Sequence, residues 1–317
     1  MKKVRIGIDV MGGDYAPSAT IEGSILAHSA SSDTIELVLI GDENIIRDEL
    51  KKHHASPSSF DIVHAAQTID MGEHPTKALI NKPQSSIAKG FKLLKKGHID
   101  GFASAGNTGA MFVGGYMTVK PVPGILRPCI SSVLPKLDGG VNVILDVGSN
   151  ADCKADVLYQ FGILGSLFAE HVCGIQHPKV GLLNIGEEES KGNMLTIAAH
   201  EMMKDTTEFN FCGNIESRHL FDDVCDVIVC DGFSGNVILK QAESVYNLVK
   251  KRNIKDEYFD RFNYENYGGT PILGLNKTVV IGHGISNKIA IKNMISLTAD
   301  VIEADLTTKI LTNFNND

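Results

Sequence analysis

The sequence lacks the standard motifs of several enzyme classes. It contains no G-x-x-x-x-G-K-[ST] motif, which argues against a Walker-type nucleotide site. It also contains no G-x-S-x-G nucleophile elbow, because residues 232–235 (Gly-Phe-Ser-Gly) are one residue short of it. The glycine-rich run at residues 282–287 lacks the third glycine of the dinucleotide fingerprint and comes late in the chain, so we do not expect a nicotinamide dinucleotide to bind.

Paired cysteines, long apolar runs and a basic charge excess are absent as well. The six cysteines form no C-x-x-C pair and no zinc-type cluster with histidine, which indicates reduced thiols and favours a cytosolic protein. No stretch has the apolar length of a membrane span, and Arg5 and Asp9 interrupt the first apolar run, so we expect no signal peptide. The net charge of −8 argues against nucleic-acid binding, which needs concentrated lysine and arginine.

The order of apolar and amphipathic runs predicts the fold class. At 317 residues, with 43% hydrophobic and 21% charged residues, the chain can form one large globular domain or two intimate halves. Strand-like runs alternate with helix-like runs, which predicts a doubly wound α/β fold with a mostly parallel sheet. Strands are predicted at residues 4–10, 35–40, 60–64, 100–104, 130–134, 141–147, 210–212, 226–230 and 278–281, and in the run that ends at Asn184.

Helices are predicted between these strands. Residues 70–83 read as irregular, and Asp138-Gly139-Gly140 reads as a turn between antiparallel strands. Gly97 is placed to end one helix. The predicted helices cover residues 21–30, 85–96, 155–173, 194–204 and 241–252, a charged run that follows Asp42 and extends to His54, a helix that opens at the junction of residues 105–109, and the carboxyl-terminal segment.

Glycine recurs with asparagine, aspartate or histidine where the predicted strands end. Glycine lets backbone N–H groups approach an anion, and asparagine tolerates left-handed turns and offers a side-chain donor. The carboxyl ends of parallel strands meet at one edge of a sheet, so we expect these turns to converge on one crevice. The six turns contain Asp9/Gly12/Gly13, Gly106/Asn107, Asp146/Gly148/Asn150, residues 182–193, Asp231/Gly232/Gly235/Asn236 and Gly282/His283/Gly284.

The turn at residues 182–193 carries the strongest anion-binding features. Three consecutive glutamates precede Ser190 and Lys191, and a helical pattern begins at Met194. Ser190 could cap that helix, whose free N–H groups attract anions, and Lys191 adds a positive charge beside them. A solvated acidic loop neutralised by its lysine is the structural alternative.

Six blocks of the sequence resemble one enzyme family in their order. Residues 8–17 (Ile-Asp-Val-Met-Gly-Gly-Asp-Tyr-Ala-Pro) resemble the amino-terminal signature of the bacterial phosphate acyltransferases, which use acyl carrier protein in phospholipid synthesis. Residues 104–110, 146–150, 182–193, 230–236 and 267–271 are similar to the later blocks, and the resemblance runs to about Ala290. It implies a phosphate acyltransferase domain over residues 1–317, a fold akin to phosphotransacetylase and the isocitrate dehydrogenase class, and a homodimer. It also implies transfer of a long-chain acyl group from acyl carrier protein to inorganic phosphate, with neither cofactor nor metal.

Phosphate held by N–H groups and a lysine can itself be the nucleophile, so the protein needs mainly positioning and an oxyanion hole. Lys191 is predicted to bind phosphate or the developing oxyanion, Asn236 to donate a hydrogen bond to the same centre, and His283 to move a proton to the leaving thiolate. Their structural alternatives are a salt bridge to residues 187–189, a helix-start cap and a buried structural histidine. Asp9, Asp146 and Asp231 are expected to fix turns. Substrate contacts are predicted at Gly12, Gly13, Gly106, Asn107, Thr108, Gly148, Asn150, Asn193, Asp231 and Gly235.

The chain departs from the family between Lys240 and Tyr264, where the family carries a longer helical hairpin that is credited with membrane contact. Here a short helical excursion at residues 241–263 is predicted, with aromatics of the kind that more often form core or dimer contacts. We expect a cytoplasmic enzyme that visits membranes transiently through residues 248–262, where basic residues lie among Val249, Tyr258, Phe259 and Phe262. A membrane glycerol-phosphate acyltransferase is the expected downstream partner.

Two other functions remain open at this point. A metal-dependent dehydrogenase could use residues 187–189 or the aspartates to hold Mg²⁺, and it would lose activity on chelation. A non-catalytic phosphate- or lipid-sensing scaffold would bind phosphate without consuming a thioester.

Overall fold

A computed structural model describes residues 3–315, which cluster into two compact units. Unit 1 comprises residues 3–122 and 264–307, and unit 2 comprises residues 123–263 and 308–315. The assignment of residues 1–317 to one domain stays a prediction. The strands are β1 (Val4–Asp9), β2 (Ile35–Gly41), β3 (Asp61–His64), β4 (Gly101–Ser104), β5 (Cys129–Pro135), β6 (Val141–Leu145), β7 (Lys179–Asn184), β8 (Asn210–Glu216), β9 (Val227–Val229), β10 (Gly269–Leu273) and β11 (Thr278–Gly282). The helices are α1 (Ser18–Ser31), α2 (Glu43–Lys52), α3 (Pro75–Asn81), α4 (Ser86–Lys95), α5 (Thr108–Thr118), α6 (Ala155–His171), α7 (Met194–Met203), α8 (Gly232–Lys251), α9 (Glu257–Asp260), α10 (Lys288–Glu303) and α11 (Leu306–Asn315).

The strands of unit 1 follow the order β3-β2-β1-β4-β11-β10. The first five are parallel, and β10 runs antiparallel to β11. The central strands are apolar on both faces, which is what burial between two layers of helices requires. Ile8 of β1 packs in one core with Ile21 of α1 and Ile291 of α10, and all three side chains are buried.

The strands of unit 2 follow the order β5-β6-β9-β7-β8. The pairs β6/β9, β9/β7 and β7/β8 are parallel, and β5 pairs antiparallel with β6 through the predicted turn at residues 138–140. The long apolar helix predicted at residues 155–173 is α6, and it is central to this unit. A Cβ at Gly165 would lie 2.8 Å from Leu145 Cδ2, so glycine is what allows α6 to lie this close to β6.

The doubly wound, mostly parallel α/β prediction is therefore confirmed, and most element bounds agree within a few residues. Two elements were missed in unit 1. The segment at residues 70–83, predicted as irregular, contains α3, whose first residue Pro75 occupies the one helical position that proline favours. Strand β10 was also missed, because glycine and proline, at Gly269 and Pro271, are residues that strands disfavour.

The helical excursion of unit 2 also differs from the prediction. Helix α8 begins at Gly232 rather than at residue 241, so the glycine-rich stretch after β9 is helix and not turn. Tyr258 and Phe262 are half-buried, and Tyr258 Oη donates to Pro135 O at 3.1 Å. The Phe262 ring lies 5.4 Å from the Phe221 ring. Within residues 3–315, no helix is long and apolar enough to cross a membrane.

Candidate active site

Asp9 fixes the turn after β1 in unit 1. Its side chain is buried, Ser104 Oγ donates to Asp9 Oδ2 at 2.6 Å, and Met11 N donates to Oδ1 at 3.1 Å. Burial raises the pKa of Asp9, although the hydrogen bonds from Ser104 and from the backbone act in the opposite direction. The contacts are those of a turn-fixing residue, as the sequence indicated.

Glycines allow the turn after β1 and the turn after β4 to lie close together. A Cβ at Gly12 would lie 2.8 Å from Gly106 N, so the turn after β1 touches the turn after β4. Gly13 has φ +108°, a conformation that side chains other than glycine rarely adopt. Strands β1, β4 and β11 are parallel neighbours, so three of the six predicted turns share one edge of unit 1.

Asn107 holds loop backbone in place. Its Oδ1 accepts from Ala110 N at 2.9 Å and caps α5, and its Nδ2 donates to the carbonyls of Asp70, Met71 and Glu73, each at 3.0 Å. Both ends of the amide are thus engaged with protein groups. Thr108, the first residue of α5, is exposed.

His283 follows β11 and is half-buried rather than fully buried. Its ring lies 5.3 Å from the Tyr264 ring, and Ile285 N donates to His283 Nδ1 at 3.4 Å. In that contact Nδ1 is the acceptor, and a neutral imidazole that accepts at Nδ1 carries its proton on Nε2. A histidine with a protonated Nε2 can donate that proton to a leaving group.

Asp146 organises the turn after β6 in unit 2. Its fully buried carboxylate accepts from the backbone N–H groups of Ile130 at 3.1 Å, Ser149 at 3.2 Å and Asn150 at 2.6 Å. Asn150 Nδ2 donates to Pro128 O at 2.8 Å and to Asp146 Oδ2 at 3.0 Å. Asn150, a predicted phosphate contact, is thus committed to holding the turn.

The start of α8 packs against this turn. Asp231 caps the helix by accepting from Ser234 N at 2.8 Å, so it fixes a turn as expected. A Cβ at Gly235 would collide with Asp146 O and lie 2.8 Å from Cys230 Sγ, which explains why this position is glycine. Asn236 lies past the first turn of α8 and does not cap it.

Asn236 is one of the two predicted catalytic side chains of unit 2. It is exposed, and its Nδ2 donates to Val147 O at 3.1 Å. Gly148, with φ +130°, lies directly beside this amide, because a Cβ there would be 3.0 Å from Asn236 Nδ2. The side chain is therefore held over the turn that follows β6.

Lys191 is the other predicted catalytic side chain of unit 2. It is exposed, and Glu187, one of the three glutamates that could have neutralised it, lies 3.8 Å from His219 Nε2. Among residues 3–315 no carboxylate forms an ion pair with the Lys191 ammonium, so the salt-bridge alternative is not realised. The helix that follows begins at Met194 as predicted, but Asn193 caps it with Thr196, because Gly192 with φ +105° separates Ser190 from the helix.

Two asparagines that we had not assigned hold the Lys191 loop. Asn184 Nδ2 donates to Lys191 O at 3.1 Å, and Asn184 Oδ1 accepts from Ile185 N at 2.9 Å. Asn214 Nδ2, at the end of β8, donates to Glu188 O at 2.9 Å. In the sequence, only their position at the end of an apolar run could have pointed to these two asparagines, and asparagine at such a position is an ordinary turn feature.

The turns of unit 2 also share one edge. Leu145 of β6 is in register with Val229 of β9, and Val229 is in register with Leu182 of β7, all in parallel. The turns that carry Asn150, Asn236 and Lys191 therefore follow neighbouring strands. Convergence of all six turns on one crevice stays a prediction.

None of the six cysteines is suited to act as a nucleophile. Burial raises the pKa of each thiol, that of Cys153 to about 12 and that of Cys173 to about 11. A thiol reacts as its thiolate, which is scarce at neutral pH in such surroundings. In the described part of the chain, no group of three or more His, Cys, Asp or Glu side chains is arranged to hold a metal ion.

Comparison with known proteins shows which family this chain belongs to. A profile of the family described as "Fatty acid synthesis protein" matches residues 4–309. The chain is 39% identical to the phosphate acyltransferase of Dictyoglomus turgidum, with 98% of each chain covered, and 40% identical to that of Halothermothrix orenii, with 99% of each covered. The chain belongs to the phosphate acyltransferase family. It is therefore an acyltransferase, and the dehydrogenase alternative is not favoured.

Solved structures agree on the fold of this phosphate acyltransferase family member. A phosphotransacetylase from Streptococcus pyogenes superposes with a TM-score of 0.66 at 17% identity, with 95% of this chain and 94% of that chain covered. One from Staphylococcus aureus gives a TM-score of 0.64 at 15% identity over the same shares. The predicted kinship with phosphotransacetylases is thus confirmed for the fold.

Proposed function

We propose that the protein transfers a long-chain acyl group from the thioester of acyl carrier protein to inorganic phosphate. A phosphate oxygen attacks the thioester carbonyl carbon, the carbon–sulfur bond breaks, and the carrier leaves as a thiolate that takes up one proton. The products are acyl phosphate and free carrier. Family membership supports the two substrates, and the raised thiol pKa values argue against a cysteine acyl-enzyme intermediate.

The observation that carries the assignment of the centre is the Lys191 ammonium. It is exposed, has no ion pair within residues 3–315, and follows a strand that neighbours the one leading to Asn236. An unneutralised cation beside an amide donor can hold phosphate and stabilise the oxyanion that forms on the thioester carbonyl. In our proposal Lys191 and Asn236 carry out these two tasks, and His283 supplies the proton to the thiolate.

In this proposal the other predicted site residues contact the substrates or position the groups that do. Gly12, Gly13, Gly106, Gly148 and Gly235 bring backbone close to the substrates. Thr108, Asn193 and Asp231 lie where helices begin, and Asn107 and Asn150 hold the turns on which such contacts depend. Support for these roles comes from their position at strand ends, and each remains to be tested by substitution.

The decisive experiment is Lys191→Ala, assayed by release of free carrier thiol from acyl carrier protein thioester as phosphate is varied. We expect kcat/KM to fall about a hundredfold to a thousandfold, as for loss of one oxyanion donor. Lys204→Ala is the matched control, because Lys204 is an exposed lysine directly after the adjoining α7 that already pairs with Glu201 at 2.8 Å. Normal turnover by folded Lys191→Ala would refute the assigned role.

Two further measurements separate the alternatives. A chelator should leave turnover unchanged, whereas a metal-dependent dehydrogenase would lose activity and regain it with divalent metal. A sensing scaffold would bind phosphate in calorimetry and leave the thioester intact.

We also propose a cytoplasmic homodimer that delivers acyl phosphate to a membrane glycerol-phosphate acyltransferase and contacts the bilayer transiently. Tyr258, Phe259 and Phe262 are half-buried against one another, so the apolar contact would come mainly from exposed Leu248 and Ile254. Exposed basic residues surround these two side chains and would favour anionic lipid. Flotation with anionic vesicles tests this, since Leu248→Ser with Ile254→Ser should abolish co-flotation.

A further inference from the structure

Four large apolar side chains are strongly exposed at the edge of unit 2 that carries Lys191 and Asn236. Ile185 is 81% exposed and Met194 is 90% exposed, and they stand at the two ends of the Lys191 loop. Phe233 is 67% exposed and Val237 is 52% exposed, and they lie in the first two turns of α8. Single exposed apolar residues are common, but a group of them beside a polar centre requires an explanation.

The two pairs follow neighbouring strands. Leu182 of β7 is in parallel register with Val229 of β9, and paired strands lie about 4.8 Å apart. Ile185 comes three residues after Leu182, and Phe233 comes four residues after Val229. Both side chains therefore lie beyond the same sheet edge.

The pairs also flank the two proposed catalytic residues. Phe233 is a neighbour of both Asn236 and Val237 on the surface of α8, because residues three and four apart on a helix are neighbours. The hydrogen bond from Asn184 Nδ2 to Lys191 O, 3.1 Å long, closes the base of the loop. Ile185 and Met194 therefore stand on either side of that base.

We propose that Ile185, Met194, Phe233 and Val237 form the surface that receives the acyl chain of the thioester substrate. The inference rests on the proposed function. The acyl chain is bonded to the carbonyl carbon that phosphate attacks, so its first methylenes must leave the centre along the adjoining protein surface. These four exposed apolar side chains adjoin the Lys191 loop and the first turns of α8 that carry Asn236, and burying them against methylenes removes apolar area of both partners from water.

The test compares palmitoyl and acetyl thioesters of acyl carrier protein on the full-length enzyme, because an acetyl group has no methylene that could reach this surface. Each buried methylene is worth about fourfold in affinity, so losing contact with one or two of them should cost about fourfold to sixteenfold. We expect Phe233→Ser and Met194→Ser to lower kcat/KM for the palmitoyl substrate about tenfold and for the acetyl substrate about twofold or less. The KM for phosphate should not change.

Leu137→Ser is the matched control. Leu137 is 61% exposed, but it lies in the turn between β5 and β6, at the opposite end of β6 from Asp146. We expect this variant to keep the palmitoyl-to-acetyl ratio of the parent enzyme. All four proposed positions are exposed, so serine there should leave the thermal midpoint close to that of the parent.

Three results would overturn the inference. One is an equal loss for both chain lengths. The second is dissociation of a dimer in sedimentation velocity with the chain-length ratio intact, which would make the surface a contact between copies. The third is loss of vesicle flotation with the ratio intact, which would make it a membrane contact.

Failure of the proposed function gives a different pattern. If Lys191→Ala turns over normally while Phe233→Ser shifts the ratio, the reaction centre is misassigned and the acyl surface stands. If Lys191→Ala is inactive and none of the four serine variants shifts the ratio, the centre stands and the acyl surface is wrong.

Discussion

The hydrogen bonds of Asn184 allow a quantitative prediction about the Lys191 loop. Asn184 is buried, and its side chain closes the loop through Lys191 O and Ile185 N. Asn184→Ala removes both bonds, each worth about 0.5–1.5 kcal/mol net. The freed carbonyl and N–H belong to exposed residues, so water can replace the lost partner, and we expect a total loss of about 1–3 kcal/mol in the free energy of unfolding.

The expected loss of activity is larger than the loss of stability suggests. The Lys191 ammonium stands on the loop that Asn184 closes, and a displacement of about 1 Å in a positioned group can cost a hundredfold in rate. We therefore expect kcat/KM of Asn184→Ala to fall between about tenfold and a hundredfold. The assay is thiol release from the carrier thioester at saturating and at limiting phosphate.

A double-mutant cycle decides whether Asn184 acts through Lys191. If it does, Asn184→Ala should add little to the defect of Lys191→Ala, because the group that it positions is already gone. Equal fold losses in both backgrounds would refute the reasoning. Asn276→Ala is the matched control, since Asn276 Nδ2 holds a loop carbonyl of unit 1, Pro121 O, at 2.7 Å.

Three further predictions concern packing, pH and thiol reactivity. Gly235→Ala should destabilise the protein by about 1–3 kcal/mol in urea unfolding, because its Cβ would collide with backbone, whereas Gly72→Ala, which meets open space, should be near neutral. The hydrogen bond from Lys136 lowers the pKa of Asp223 below its ordinary 3.8, so this contribution to stability is present above pH 3.8 and is lost as the pH falls through the folded value. Lys136→Met should therefore show a weaker loss of stability with acid than the parent, and an unchanged profile would contradict this. Finally, iodoacetamide at neutral pH should modify Cys153, whose pKa is about 12, far more slowly in the folded than in the denatured protein, and equal rates would disprove it.

The site illustrates how far sequence reasoning reaches. The turn motifs identified where the strands end, because glycine and asparagine favour turns. The roles of individual residues were harder to separate. Asn107 and Asn236 look alike in sequence, yet the amide of Asn107 is engaged at both ends, whereas Asn236 is exposed above the turn after β6.

Helix starts show the same limit. The sequence predicted that Ser190 caps α7, but in the structure Asn193 caps it. Gly192, with its positive φ, lies between the two residues and keeps Ser190 outside the helix. The sequence predicted a turn at residues 232–236, but α8 begins there. Gly232 and Gly235 are glycines because they pack closely on Asp146, and not because a turn requires them. A glycine that serves packing cannot be told from a glycine that serves a turn until its neighbours in space are known.

The sequence by itself determined the alternation of strands and helices, the mostly parallel α/β class and the turns at the strand ends, since these follow from local periodicity and from residues that favour turns. Only the tertiary structure decided that β9 lies between β6 and β7, which brings the turns of Asn150, Asn236 and Lys191 to neighbouring strand ends. It also decided that Glu187 lies beside His219 and leaves the Lys191 ammonium without an ion pair among the described residues. Strand order and charge pairing depend on contacts between residues far apart in the chain, and local sequence patterns do not predict those contacts.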